Sequence, residues 1–454
     1  MREHADLTAA TAGEGHGTPS PMPEPRRAVG VAALSLRKNF SWITAGRIVY
    51  AITQWAMLAI LAKLASAASV GELSLALAVS LPIFKFSNLG LRHAQATDVG
   101  GDHGFRDYLG LRIVTSLLSV FAIAGIGAGL GHGLETTLVI VLVGLMRGLA
   151  SIGEVFHACF QLYERMDHVA RSLVLRGVLS VALLAVGVIV GGQLWIGAFG
   201  MAVASLAVLG VHDLRRGRRL LLHRAGEAER PIAPRFERAR LWRLTKQTLP
   251  LGVAGALFSL QQSTPRFFLA QGIGLEELGY FAAMAYIANA GNELVQGFGH
   301  SAVARLARAY AEGRTADFAR LLGKVSLIGL VFGGLGLGVA LAAGELTLTL
   351  LYASDYAVHA DVFVWVMLAA LLRYVASLLH FGTTAARRFR AHLVNHLAVA
   401  LVALGASLWW IPSHGILGAA WAMLAAAAAD LACAAAINLL SIRACDRSAG
   451  SFPP

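Results

Sequence analysis

From Gly177 to Val211 the chain contains no charged residue, and Val325 to Ala343 is equally free of charge. A helix rises 1.5 Å per residue, so ~20 apolar residues cross the ~30 Å hydrocarbon layer of a bilayer. The first stretch is therefore long enough for two membrane helices, joined at Gly191-Gly192-Gln193. Hydrocarbon offers the backbone no hydrogen-bond partner, so a crossing segment must be a helix or part of a closed barrel. Continuous apolar runs of this length specify helices. Composition agrees, because 57% of the 454 residues are of the AVILMFWYC type and only 14% are charged, where ~25% is usual in soluble domains.

Comparable segments recur at about 40–62, 71–91, 109–130, 134–157, 172–190, 193–211, 247–270, 278–301, 322–343, 360–381, 392–411 and 415–440. The expectation is an all-α integral membrane protein of about twelve transmembrane helices with both termini cytoplasmic. Lys and Arg test it, since cytoplasmic loops hold their excess. With the N-terminus inside, the inside segments carry Arg26, Arg27, Arg37 and Lys38, then Arg92 and Arg106, Arg165 and Arg171, and a dense run from Arg215 to Lys246. Further on they carry Arg305, Arg308, Arg314 and Arg320, then Arg387, Arg388 and Arg390, and finally Arg443 and Arg447; the outside segments hold only Lys63. The net charge of +12 is thus mostly a topology signal. A nucleic-acid partner is not expected, because such binders gather their basic residues on a solvated face.

The organisation read from these segments is a disordered cytoplasmic tail (1–38), an N-terminal six-helix lobe (39–211), a basic cytoplasmic linker (212–246), a C-terminal six-helix lobe (247–441) and a cytoplasmic tail (442–454). Residues 1–30 carry Pro19, Pro21, Pro23 and Pro25 without an apolar core, which is no cleavable signal peptide. Cys159, Cys433 and Cys445 form no CxxC and no paired framework. The halves repeat weakly: Gly71 to Val79 matches Gly279 to Ile287 in position, and Phe105 to Leu109 matches Phe318 to Leu322. Even-numbered halves make parallel repeats about an axis along the membrane normal, an arrangement of alternating-access transporters.

No HExxH, GxSxG or Walker loop is found, so no catalytic residue, metal or cofactor is assigned. Gly333 to Gly338 imitates a nucleotide loop but lies mid-span, where small residues serve helix packing; Gly125, Gly127, Gly129 and Gly131 read the same way. The informative residues are ionisable groups within spans, each costing ~2.5–3.5 kcal/mol at mid-bilayer. They are Arg47, Lys85, Arg147, Glu154, Arg266, Glu293, Arg373 and Asp430.

Helical spacing groups them with polar neighbours: Arg47 with Tyr50 and Gln54; Lys85 with Asn88 and Arg92, after Pro82; Ser259 and Gln262 with Arg266; Tyr286, Asn289, Glu293, Gln296 and His300; Arg373 with Ser377 and His380. Lys85, Arg92 and Arg373 either face a cavity or snorkel to an interface; for Arg47, Arg147, Arg266 and Glu293 the cavity is the better account. Glu154, Glu293 and Asp430 are coupling-ion candidates, Asp430 without a polar stripe of its own. Trp409, Trp410 and Trp421 flank an outside turn and suit an aromatic belt. A net-positive cavity predicts an anionic cargo, with Arg for phosphates and Asn, Gln and Tyr for sugars.

Asn39-Phe40-Ser41-Trp42, the segment from Gln54-Trp55 to Lys63-Leu64, Val70-Gly71-Glu72, Leu89-Gly90-Leu91-Arg92 and Gln95-Ala96-Thr97-Asp98 resemble the start of bacterial polysaccharide flippases of the Wzx type. Pro265-Arg266-Phe267-Phe268-Leu269 and Leu278-Gly279-Tyr280-Phe281 resemble the opening of their second half, and Tyr352-Ala353-Ser354-Asp355-Tyr356 a later loop. The resemblance covers residues 39 to 440 and points to the multidrug/oligosaccharidyl-lipid/polysaccharide (MOP) exporter superfamily. It implies two six-helix lobes in a MATE-like V, a cationic central cavity, and passage of undecaprenyl-diphosphate-linked oligosaccharide across the bacterial inner membrane by alternating access. Of the site residues it carries over only Arg266. Partners implied are the lipid-linked oligosaccharide, membrane lipids, and polymerase or assembly proteins; H+, Na+ or the membrane potential would supply the energy. Rival readings are a cation-coupled drug extruder of the same fold, which wants an acidic apolar cavity, a membrane glycosyltransferase or polymerase, which wants acidic residues on a long outside loop such as Gly344 to His359, and a non-transporting scaffold, which has no use for polar stripes in lipid.

Overall fold

The computed structural model describes residues 34–98, 103–225 and 233–449. The expected tail lies outside the described residues up to residue 33. Helices α1 (Leu36–Leu64), α2 (Ala67–Ser87), α3 (Leu91–Thr97), α4 (Phe105–Gly129), α5 (Leu134–Leu162), α6 (Met166–Gly191) and α7 (Leu194–Val208) come first. A π-helical turn (Leu209–Leu214) leads into α8 (Arg215–Ala225), and α9 (Arg238–Gly272), α10 (Leu275–Ala311), α11 (Thr315–Leu351), α12 (Ala360–Ala385) and α13 (Phe389–Ala449) follow. No strand occurs among the described residues.

Among the described residues nine helices are long and apolar enough to cross a membrane. Helices α9 and α10 fall outside that set because polar groups interrupt them, Gln261 to Thr264 and Arg266 in one, Asn289, Asn292, Glu293 and Gln296 in the other. Helix α13 counts once but doubles back at Gly415, whose φ of 54° lies in the left-handed region. Asn395 in its first arm donates to Asp430 Oδ1 in its second at 2.7 Å, and Val399 and Ala403 pack on Ala426.

Three parts of the sequence reading differ in the structure. Helix α2 stops at Ser87 because Leu89 (φ 50°) and Gly90 (φ 61°) turn left-handed, so Arg92 sits on α3 and does not share a helix face with Lys85 and Asn88. Helix α11 bends at Ala343 and continues to Leu351, so much of the supposed outside loop Gly344 to His359 is helical, its remainder a 3-10 turn (Ser354–His359). The segment 212–246 read as a linker includes α8 and the start of α9, with residues 226–232 outside the described set.

The same packing recurs in both halves. Helix α1 lies on α6 as α9 lies on α13, α2 on α5 as α10 on α12, and α4 on α5 as α11 on α12. Small residues permit these approaches: Gly46 meets the backbone of Ala170, and Gly333 that of Leu371. The packing role expected of the glycines after residue 124 holds for Gly127, which touches Ile140, but Gly125, Gly129 and Gly131 have nothing beside them.

The halves meet mainly through α2, which contacts both α9 and α10. Beside the α1–α2 and α9–α10 turns Gly71 lies against the Leu275 carbonyl and Gly279 against the Ala67 carbonyl, a reciprocal pair in which each glycine stands four residues after the other's partner. Such reciprocity is what a two-fold relation between repeats produces. Lys63 Nζ adds a hydrogen bond to the Leu350 carbonyl at 3.1 Å. Farther in, α2 leans on α9, where Gly252 and Gly255 face the carbonyls of Phe86 and Lys85.

Candidate substrate cleft

The densest polar group lies in the C-terminal half, between α9, α10, α12 and α13. Gln261, Gln262, Arg266, Asn289, Arg373 and Asp430 line one cavity whose remaining wall is apolar, including Phe281 and Met423. Pro265 gives up a backbone donor in α9 just where Arg266 turns inward. Arg266 is 5% exposed and its Cζ lies 5.5 Å from the centroid of the Tyr286 ring, a cation–π contact. Arg373 Nη2 donates to Asn289 Oδ1.

Asp430 has no polar neighbours along its own arm and finds them on others. It pairs with His380 Nε2 at 3.0 Å and accepts from Asn395 Nδ2 at 2.7 Å. His380 in turn packs on the rings of His392 and His396, whose Nε2 atoms lie 3.1 Å apart. Two guanidinia and one carboxylate share this cavity, and the carboxylate is already hydrogen-bonded. The cavity is thus biased toward accepting negative charge.

The other candidate residues fall into two groups. Arg47 on α1, Lys85 on α2, and Glu293 and His300 on α10 are exposed. Arg47 is in electrostatic reach of His300 and Arg92, while Glu293 reaches both His300 and Arg373. This chain of charge runs from the first helix of one half into the cavity of the other. Tyr50, Gln54 and Gln296 are half-buried on the same two helices, α1 and α10.

The second group belongs to the N-terminal half. Asn88 caps α2 and its Oδ1 accepts from both Arg112 Nη1 and Ser151 Oγ, the latter at 2.6 Å; Glu154 stands 3.9 Å from Arg112 Nη2. Arg147, half-buried on α5, is not part of the Arg266 cavity, and its Nε is buried with no hydrogen-bond partner.

Sequence reasoning passed over Arg112, which is 1% exposed, and the set of Arg176, Asp213 and His157 beneath the π-helical turn. Asp213 is fully buried, accepts from Arg176 Nη2 at 3.0 Å, and lies 3.7 Å from His157. These residues lie near span ends, where a charge looks unremarkable in sequence. One signal was available: Arg147-Gly148-Leu149-Ala150-Ser151 in α5 and Arg373-Tyr374-Val375-Ala376-Ser377 in α12 repeat Arg-x-x-Ala-Ser at equivalent places in the two halves. Among the described residues no group of three or more His, Cys, Asp or Glu is arranged to hold a metal ion.

Known proteins now bear on this geometry. A scan against protein-family models finds no match. The chain is 24% identical over 388 residues to the capsular polysaccharide biosynthesis protein CapF of Staphylococcus aureus, covering 84% of this chain and 94% of the relative. The lipid II flippase MurJ in an inward closed conformation superposes with a TM-score of 0.68 at 10% identity, over 91% of this chain and 93% of that one. An inward-facing multidrug resistance MATE family transporter of the MOP superfamily gives 0.62 at 13% identity, over 91% and 96%. The fold is that of the MurJ and MATE structures. The chain is a multi-pass membrane protein, and its resemblance to polysaccharide flippases of the Wzx type is matched by both the relative and the fold.

Proposed function

We propose that this MOP-superfamily chain carries undecaprenyl-diphosphate-linked oligosaccharide from the inner to the outer leaflet of the bacterial inner membrane by alternating access, in assembly of a surface polysaccharide. The observation that carries the reading is the cavity holding Arg266 and Arg373 against the single, already bonded carboxylate of Asp430. A diphosphate supplies the missing counter-charge, since guanidinium and phosphate pair with bidentate geometry. Gln262 and Asn289 offer amide groups to sugars, and a polyprenyl tail needs no protein pocket because it can stay in lipid. With the cell interior negative, each negative charge moved outward gains ~2.3 kcal/mol per 100 mV. The potential can therefore drive a dianionic headgroup outward, and no step of this reading makes or breaks a covalent bond.

Replacing Arg266 by Ala in a strain lacking the chromosomal copy is expected to leave the protein in the membrane while the lipid-linked glycan accumulates in the inner leaflet, read by mass spectrometry of extracted lipids. Normal surface glycan with no accumulation would refute the role. Drug extrusion is the second reading, since one solved neighbour is named a multidrug resistance transporter. The cation excess of the cavity disfavours cationic drugs, so deletion is expected to leave susceptibility to cationic dyes unchanged.

A further inference from the structure

The geometry points to a binding site for an anionic phospholipid on the cytoplasmic-leaflet end of the N-terminal half, in a groove between α1 and α6 and apart from the cleft. The two helices run parallel and cross closely where Gly46 meets Ala170 and Gly177 meets Thr53. Beside this crossing lies a groove with walls from Trp42, Val49 and Leu175 and with Arg171, His212 and Arg216 gathered toward the inner side. Apolar walls suit an acyl chain, and the basic end is at the depth of a headgroup, as the indole of Trp42 marks.

The charges in this groove are only partly neutralised by the protein. Arg171 lies over the Trp42 ring at 5.3 Å, and its nearest carboxylate, Asp167, is 4.0 Å away. That carboxylate is already held by Arg165 through bonds of 2.9 and 3.0 Å. Asp213 is committed to Arg176 at 3.0 Å, and Arg216 is exposed. His212 supplies an independent sign. Its side chain is 11% exposed, its Nδ1 faces Asp213 Oδ1 at 3.1 Å, and its Nε2 is buried with no hydrogen-bond partner.

Since the Asp213 carboxylate can only accept, Nδ1 carries the proton of that bond. A phosphodiester between Arg171 and Arg216 would pair both guanidinia, and a headgroup hydroxyl beside it would stand next to His212 in the groove wall. Phosphatidylglycerol has that combination of one negative charge and free hydroxyls.

Native mass spectrometry of the full chain in detergent, titrated with phosphatidylglycerol or with zwitterionic phosphatidylcholine, tests the site. An arginine near an anionic lipid contributes about 1 kcal/mol, so Arg171→Ala with Arg216→Ala is expected to weaken phosphatidylglycerol binding roughly thirty-fold. Phosphatidylcholine binding is expected to be weak and unchanged. Arg216→Ala alone, at an exposed side chain, is expected to cost about five-fold and serves if the double variant does not fold. Ala45→Phe, which fills the groove and keeps every charge, is expected to abolish the phosphatidylglycerol preference. Equal binding of the two lipids, retention in the arginine variants, or an indifferent Ala45→Phe would each overturn the site. Displacement of the lipid by millimolar inorganic phosphate would equally overturn it, by showing a free-anion site.

Discussion

Gly71 and Gly279 make the contact between the halves beside the α1–α2 and α9–α10 turns, and each faces a backbone carbonyl that a Cβ would overlap. A side chain in the way can rotate aside, but a helix backbone cannot. Gly71→Ala or Gly279→Ala must therefore be accommodated by moving one half off the other. Overpacking of this kind costs ~1–3 kcal/mol, which would shift the balance between joined and separated halves at this contact by roughly 5 to 150-fold. The reciprocal geometry makes a sharper claim. Once the halves have separated for one methyl, the second has room, so the double variant should resemble the larger single variant and fall short of their sum.

Spin labels at Ser66→Cys and Gln271→Cys, both exposed near the C-terminal ends of α1 and α9, report the separation by pulsed dipolar distances in a background without the native cysteines. The expected result is a longer distance population of similar weight in both single variants and no further growth in the double. Full additivity, an effect at one glycine only, or unchanged distances in all variants would defeat the reasoning.

Two further outcomes follow from buried groups of the N-terminal half. Asp213→Ala leaves Arg176 buried without its carboxylate and is expected to cost ~3–5 kcal/mol, seen as a lower melting temperature in detergent; adding Arg176→Leu is expected to recover part of the loss, and no recovery would argue against the pair. Arg112→Leu removes one donor from Asn88 Oδ1, which keeps Ser151 Oγ, and takes the partner cation from Glu154, at a cost of ~1–3 kcal/mol. It should raise protease sensitivity at the α2–α3 break, and an unaltered digestion pattern would count against Arg112 as the tie there.

Membrane class and the all-α fold were legible in the sequence, because each rests on a local property. Twenty apolar residues dictate a spanning helix wherever they occur, and loop arginines dictate sidedness without reference to any contact. The candidate cations were legible for the same reason, since a charge inside a span has to be explained. The break after Ser87 was harder to see, because the sequence around Leu89-Gly90 continues an apolar segment and only two left-handed residues end the helix.

What pairs with what was decided by tertiary structure alone. Asp430 looked solitary because helical spacing reports only neighbours on one helix, whereas His380 and Asn395 reach it from other helical segments. Arg47, Arg147 and Arg266 looked alike as charges within spans. The fold distributes them between an exposed stretch of α1, a half-buried position on α5 and the cavity of the C-terminal half. The sequence by itself determined that charge lies within the membrane, because hydropathy is a property of one segment. Only the packing of α9, α10, α12 and α13 decided which charges share a space, because that depends on the rotation and crossing of helices far apart in the chain.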